Sequence, residues 1–91
     1  MNKKQIRRLE RVFKGVSNHW RIEILLMVSK EPGISLEGIV QNLHANYNTI
    51  AEHLKRLSDA GLIIKKYQGR SKEIKISPYG TKLLKTFKYF N

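Results

Sequence analysis

Three polar side chains, Asn48, Glu52 and Lys55, fall on one face of the helix-like segment Asn46–Ile63. Residues three and four positions apart share a face of a helix. An amide can pair bidentately with adenine, a carboxylate can accept from the cytosine amine, and a lysine can bind phosphate. This face can therefore recognise double-stranded DNA. The alternative is a solvated face on which Glu52 and Arg56 form a weak ion pair.

The chain offers little for catalysis or metal binding. Its acidic residues are scattered, and no carboxylate pair with a neighbouring base emerges. It has no phosphate-cradling glycine loop and no cysteine. The histidines, His19, His44 and His53, lack the short paired spacing of a helical metal site. We expect neither an enzyme nor a metal or cofactor, and we interpret His53 as a packed, hydrogen-bonded residue.

The charge of the chain is concentrated at its two ends. Its 91 residues include 18 Lys and Arg against 7 Asp and Glu, a net charge of +11. Residues 1–14 carry six basic side chains and one acid, residues 15–60 four and five, and residues 61–91 eight and one. This distribution favours a polyanionic partner. The alternative is a basic surface that only keeps the protein soluble.

The sequence contains no signal for membrane insertion or export. No apolar run approaches the length of a membrane span. The basic N-terminus lacks the apolar core of a signal peptide. We expect a cytoplasmic protein with no membrane partner.

Hydrophobic periodicity predicts five helices. They are expected at about residues 3–14, 17–30, 35–43, 47–59 and 78–90. Ser17, Ser35 and Asn46 are the predicted N-caps of the second, third and fourth helices. The second helix contains the run Ile22–Val28, which is too apolar all round for a surface helix, so we expect it to be the buried central helix.

A hairpin is predicted after the fourth helix. The β-rich runs LIIKKY and KEIKI flank QGRS, where Gly69 allows a tight turn. With a short strand at Ile34, the order α-α-(β)-α-α-β-β-α is that of a winged helix-turn-helix. We therefore predict a mainly α fold with a small β-hairpin (α+β). It forms a single domain, residues 1–91, with terminal helices at 1–14 and 78–91, a helix-turn-helix at 35–60 and a wing at 62–77.

Three segments of the chain resemble the ArsR-type winged-helix repressors. VSNHWRIEILLMV is similar to the entry of that family's second helix, including its serine, its arginine (Arg21) and its apolar run. NYNTIAEHLKRLSDAGLI resembles the family's recognition helix, and KKYQGRSKEIKIS resembles its wing. The resemblance covers about residues 8–90. It implies a transcriptional regulator that binds double-stranded DNA as a homodimer.

The chain departs from the family where many of its members sense metals. Those members use cysteine pairs in the recognition helix, or histidines and acids in the last helix. This chain has no cysteine, and its last helix has no histidine or acid. Metal sensing is therefore not carried over, and no motif identifies a small-molecule effector.

The fourth helix carries the first group of predicted DNA contacts. Recognition helices direct their N-terminal half at base edges in the major groove. We expect Asn48 and Glu52 to read bases, and Ala51 to allow close approach or to touch a thymine methyl. The full set predicted on this helix is Asn46, Tyr47, Asn48, Thr49, Ala51, Glu52 and Lys55.

The wing carries the second group of predicted contacts. Arg70, near its tip, suits a narrow minor groove. The alternative is that the lysines of the hairpin only protect an edge strand against aggregation. The set predicted on the wing is Lys66, Gln68, Arg70, Ser71 and Lys72.

The terminal helices carry more apolar side chains than one small core needs. Together with the family resemblance, this favours a two-fold dimer interface built from the first and last helices. The alternative is that both helices simply cap the monomer. The predicted interface is Ile6, Leu9, Phe13, Leu83, Leu84, Phe87 and Phe90.

Other functions remain compatible with these patterns. A winged helix can bind DNA without sequence preference, or can bind protein or RNA, because a fold alone does not determine function. The basic amphipathic first helix also suits an anionic membrane surface.

Overall fold

The computed structural model describes all residues, 1–91, and its elements follow the predicted order. The helices are α1 (Lys3–Val16), α2 (His19–Lys30), α3 (Leu36–Leu43), α4 (Tyr47–Asp59) and α5 (Pro78–Phe87). The strands are β1 (Ile34–Ser35), β2 (Ile63–Gln68) and β3 (Ser71–Ile76). A short 3-10 turn, Lys88–Phe90, follows α5. This confirms the predicted winged helix-turn-helix architecture.

Asparagine and serine side chains cap the N-termini of all five helices. The predicted caps Ser35 and Asn46 accept hydrogen bonds from Gly38 N (3.0 Å) and Thr49 N (3.2 Å). Such caps stabilise a helix by about 1 kcal/mol each. The predicted cap Ser17 is wrong. Asn18 caps α2 instead, because its Oδ1 accepts from Trp20 N at 2.8 Å.

The sheet is antiparallel, in the order β1-β3-β2. β3 pairs with β1 through Ile34 and Ile74, and with β2 along the whole hairpin. The connection between β2 and β3 has two residues, and its first residue, Gly69, has φ 61°. A positive φ at this position is typical of the tight hairpin turns that match strand twist. The hairpin therefore projects as a narrow wing.

The core lies between α2, α3, α4 and one face of the sheet. Its fully buried side chains are Ile24, Leu25, Val28, Ile39, Ile50, Leu57, Leu62 and Ile74. α2 is the buried central helix that its apolar run predicts, but one flank of it is exposed. Ile22 and Leu26 are 36% and 44% exposed, because the C-terminal end of α5 leaves an open groove over that flank of the helix.

The turn between α3 and α4 depends on a left-handed residue. His44 ends α3 with φ 51° and ψ 41°, and it is the only non-glycine residue with positive φ. Its backbone N–H donates to Gln41 O. This turn sets the angle at which α4 leaves α3.

Candidate nucleic-acid interface

The fourth helix has one buried face and one exposed face. Ile50, Leu54 and Leu57 are buried against the core, as their spacing predicts. The helix therefore presents its opposite side to solvent. Of the predicted DNA contacts on this helix, six are exposed and Ala51 is partly buried. The exposed residues are Asn46, Tyr47, Asn48, Thr49, Glu52 and Lys55.

Glu52 is already paired within the helix. Its carboxylate accepts from Arg56 Nε at 3.1 Å, and both side chains are more than half exposed. An exposed i,i+4 pair of this kind is weak and exchanges readily with water or a ligand. The pair expected for a merely solvated face is therefore present, but it does not lock the carboxylate in place.

The wing presents a polar and aromatic surface near its tip. Tyr67 stands opposite Lys72 in the register of the hairpin, and Lys72 Nζ lies 5.2 Å from the centre of the Tyr67 ring. Tyr67 is 72% exposed. Among the predicted wing contacts, Lys66, Gln68, Arg70 and Ser71 are exposed and Lys72 is partly buried. Sequence reasoning missed Tyr67, although its position in an alternating strand could have identified it.

One cleft joins the recognition helix to the wing. Tyr47, from the first turn of α4, lines it together with Tyr67, Arg70 and Lys72. The wing also contributes Ser71, and the rest of the wall is formed by Ser35 of β1 with Leu36 and Glu37 of α3. Two groups of contacts that the sequence predicts separately therefore border a single concave surface.

A second charged cleft lies between α1 and the far end of α4. Its lining includes five basic side chains and two acids: Arg7, Arg11, Lys14, Arg21, Arg56, Glu10 and Asp59. Three of these seven charges are paired, since Lys14 Nζ lies 3.6 Å from Glu10 and Arg56 bonds to Glu52. The net positive charge of the molecule thus extends beyond the predicted DNA contacts.

Arg21 lies at the base of this second cleft and contacts the recognition helix. Its Nε donates to His53 Nδ1 at 3.3 Å. Burial, with the nearby Arg21 charge, lowers the pKa of His53 below 6.5, and Glu52 opposes this shift. A neutral imidazole can accept at Nδ1, whereas a protonated one cannot. Sequence reasoning identified His53 as packed and hydrogen-bonded but gave no partner.

Apolar side chains remain uncovered on α1 and at the C-terminus. Ile6, Leu9, Phe13 and Phe90 are all exposed, Phe90 by 84%. The other predicted interface residues, Leu83, Leu84 and Phe87, are partly buried and pack against the core. A groove between α1 and α5 contains Leu9, Phe13, Leu83 and Phe90, with Arg8, Tyr79 and Lys82 in its lining.

The uncovered flank of α2 extends this apolar surface. Ile22 and Leu26 form a second groove with Phe87 and Phe90. Sequence reasoning missed these two residues because it assigned the whole apolar run to the core.

None of the helices is long and apolar enough to cross a membrane.

Several solved structures share the fold of this chain. A protein described as a predicted DNA-binding transcriptional regulator from E. coli superposes with a TM-score of 0.81 at 22% identity, over 98% of this chain and 95% of its own. A homodimeric winged helix-turn-helix DNA-binding domain from Mycobacterium bovis gives 0.80 at 22% identity, over 92% and 79%. The ArsR-like transcriptional regulator from Rhodococcus sp. RHA1 gives 0.78 at 27% identity, over 94% and 78%.

The likeness extends to longer regulators. MarR superposes with a TM-score of 0.72 at 20% identity over 89% of this chain, which spans 64% of the MarR chain. No curated protein sequence matches the chain.

A family model places this fold in a sequence family. The model described as bacterial regulatory protein, arsR family, matches residues 18–65, just over half of the chain. The matched segment begins at the Asn18 cap of α2, includes α3 and α4, and ends in β2. Its members are DNA-binding transcriptional regulators rather than enzymes. The chain therefore belongs to the arsR family of bacterial regulatory proteins.

Proposed function

We propose that this protein is a sequence-specific transcriptional regulator that binds double-stranded DNA in the cytoplasm as a homodimer. Each protomer inserts α4 into the major groove and lays its wing on the flanking backbone and minor groove. The observation that carries the proposal is the cleft bordered by Tyr47 of α4 and by Tyr67, Arg70 and Lys72 of the wing. Because the N-terminus of α4 and the basic hairpin border one concave surface, both can contact the same DNA duplex.

The exposed face of α4 supplies the sequence readout. Asn48 is placed to bond an adenine edge, and Glu52 to accept from cytosine after it leaves Arg56. Ala51 is small enough to let the helix approach a base closely. Tyr47, Thr49 and Lys55 bind phosphates, which fix the register without reading sequence.

The wing and the charge of the chain supply affinity. Arg70 reaches the minor groove, while Lys66, Gln68, Ser71 and Lys72 contact the backbone. If each protomer neutralises about four phosphates, affinity falls on the order of a thousandfold between low and moderate salt.

The homodimer is supported by the uncovered apolar surface. Ile6, Leu9 and Phe13 of α1, with Phe90, are exposed in the single chain. Burial against a second copy removes this surface from water, which is favourable. A two-fold dimer then presents two recognition helices about one helical turn of DNA apart, and the site is palindromic.

Selection of bound sequences from random duplex DNA at near-physiological salt tests the proposal. The expected result is a palindromic motif whose half-sites lie about one helical turn apart. Tight, salt-sensitive binding without an enriched motif would replace it with a non-specific architectural role. Absence of DNA binding would overturn it in favour of an RNA, protein or anionic-membrane partner.

A further inference from the structure

A single side chain of α2 joins the end of α1 to the middle of the recognition helix. Arg21 of α2 donates from Nη1 to Lys14 O at 3.0 Å and to Gly15 O at 3.2 Å. Both carbonyls belong to the last turn of α1, which has no later helical N–H to bond them. The same guanidinium donates from Nε to His53 Nδ1 of α4. Arg21 therefore connects the C-terminus of α1 to the middle of α4.

A second contact joins the same two helices further along α4. Gly15 is buried at the end of α1, and a Cβ at this position would overlap the Cβ of Ala60, the residue that caps α4. Only a residue without a side chain allows the two backbones to come so close. The end of α1 is therefore fixed directly on the end of α4.

The two attachments restrict how α1 can move relative to α4. His53 and Ala60 are seven residues apart, about 10 Å along the helix axis. On α1 both attachments fall at Lys14 and Gly15, so together they fix the position of its C-terminal end along α4. Hydrogen bonds are also directional, whereas the apolar contacts between these helices are not.

We propose that Arg21 is a positioning residue that fixes the distance between the two recognition helices of the dimer. This rests on the proposed function, in which α1 carries the interface through Ile6, Leu9 and Phe13. In such a dimer, α4 is located relative to the two-fold axis partly through its junction with α1. Base pairs rise about 3.4 Å, so a tilt that moves α4 by a few ångströms changes the preferred spacing by one base pair.

The first test measures spacing preference. Wild type, Arg21→Ala and Arg21→Lys are compared on palindromes whose half-site spacing varies one base pair at a time. Wild type is expected to favour one spacing. Arg21→Ala is expected to reduce the preference for that spacing over its neighbours by roughly tenfold, as for loss of a hydrogen bond to a charged group. Arg21→Lys should recover part of it, since one ammonium cannot reproduce the planar fork.

A matched control separates positioning from general stability. Ile39→Val truncates a fully buried side chain of α3, away from the junction. It lowers stability but should leave the spacing profile unchanged. His53→Ala removes only one hydrogen-bond partner of Arg21, so it should broaden the spacing profile less than Arg21→Ala does. This second variant keeps the test usable if Arg21→Ala folds poorly. An unchanged profile in the Arg21 and His53 variants, or equal broadening in Ile39→Val, would overturn the inference.

The second test needs no DNA. The chain has no cysteine, so Lys55→Cys gives one spin label on each α4. Pulsed electron paramagnetic resonance then measures the distance between labels of the two protomers. Adding Arg21→Ala should broaden or shift this distribution. A single unchanged distribution would refute the role of Arg21 while keeping the dimer. No inter-protomer distance at all would refute the proposed homodimer and the spacing role with it.

Discussion

Arg56 donates from Nε to the carboxylate of Glu52 at 3.1 Å, across one turn of the exposed face of α4. The pair leaves a negative charge, only partly screened, on a surface that we propose faces phosphates. Exposed pairs of this kind contribute little to stability. Glu52 can therefore be changed without loss of the fold, and its effect on DNA binding can be measured separately.

Glu52→Gln is expected to raise the affinity for random-sequence duplex by roughly two- to tenfold, because it removes one unit of repulsion near phosphates. If Glu52 reads cytosine, the same change lowers the preference for the selected site over random DNA. Fluorescence anisotropy on both duplexes measures the two effects. Asp59→Asn, which removes an acid from the far end of the same helix, is the control. It should change neither the affinity for random DNA nor the preference for the selected site by much. Lower affinity of Glu52→Gln for random DNA would contradict this account.

Asn48→Ala and Arg70→Ala are expected to impair DNA binding in different ways. Loss of an amide–adenine pair reduces discrimination by about 1–3 kcal/mol while leaving random-sequence binding nearly intact. Loss of a wing phosphate or minor-groove contact weakens binding to all sequences and reduces the salt slope by about one. Titrations of specific and random duplexes over a series of salt concentrations distinguish these outcomes. Equal losses on both duplexes for Asn48→Ala would refute its role in base reading.

Leu26→Lys should weaken the dimer and leave the protomer folded. Leu26 is 44% exposed on the uncovered flank of α2, so a lysine there keeps its ammonium in water in the monomer. In the dimer the same charge loses water without gaining a partner. Sedimentation velocity should show a larger monomer fraction, with an unchanged circular dichroism spectrum.

Ile24→Lys, two residues away on the same helix, is the contrasting variant. Ile24 is fully buried, so the added charge should unfold the chain. A Leu26→Lys protein that self-associates as wild type does would show that the dimer does not cover this flank of α2.

The stability of the protein should fall below about pH 6.5 because of His53. Its pKa is lowered in the folded chain by burial and by Arg21 on α2, with His19 adding to the shift and Glu52 opposing it. The folded state therefore binds this proton less readily than the unfolded state does. Its contribution is complete above the unfolded pKa and is lost as pH falls through the folded pKa.

Thermal unfolding of wild type and His53→Gln between pH 5 and pH 8 measures this contribution. The melting temperature of His53→Gln should depend less on pH than that of wild type. The two proteins differ only at position 53, so a difference between their pH profiles reports on this residue. A parallel pH dependence in the two proteins would exclude His53 as a source of acid sensitivity.

Local sequence signals determine much of the fold. Ser35 and Asn46 are predicted and observed caps, since each precedes an apolar repeat with the correct period. Ser17 and Asn18 are adjacent and both suit a cap, so local preference cannot choose between them. The exposure of Leu26 was missed for another reason. An apolar run indicates burial but does not tell whether the covering element belongs to the same chain.

The candidate site was predictable where it follows helix and strand periodicity. The exposed face of Asn48 and the projecting Arg70 follow from residue spacing. The bond from Arg21 to His53 does not, because it joins residues 32 positions apart and depends on how three helices pack. The closeness of Gly15 to Ala60 is likewise a property of packing that no local pattern encodes.

Two cations flank the ring of Tyr79 at the groove between α1 and α5. The guanidinium of Arg8 lies 6.0 Å and the ammonium of Lys82 5.9 Å from its centre. If the proposed dimer forms on this groove, a second copy brings a further charge of +11 to a surface that already holds Arg8 and Lys82. Added salt should therefore tighten self-association while it loosens DNA binding. In the proposed complex the DNA phosphates supply the missing negative charge at low ionic strength, so dimerisation and DNA binding should be thermodynamically coupled.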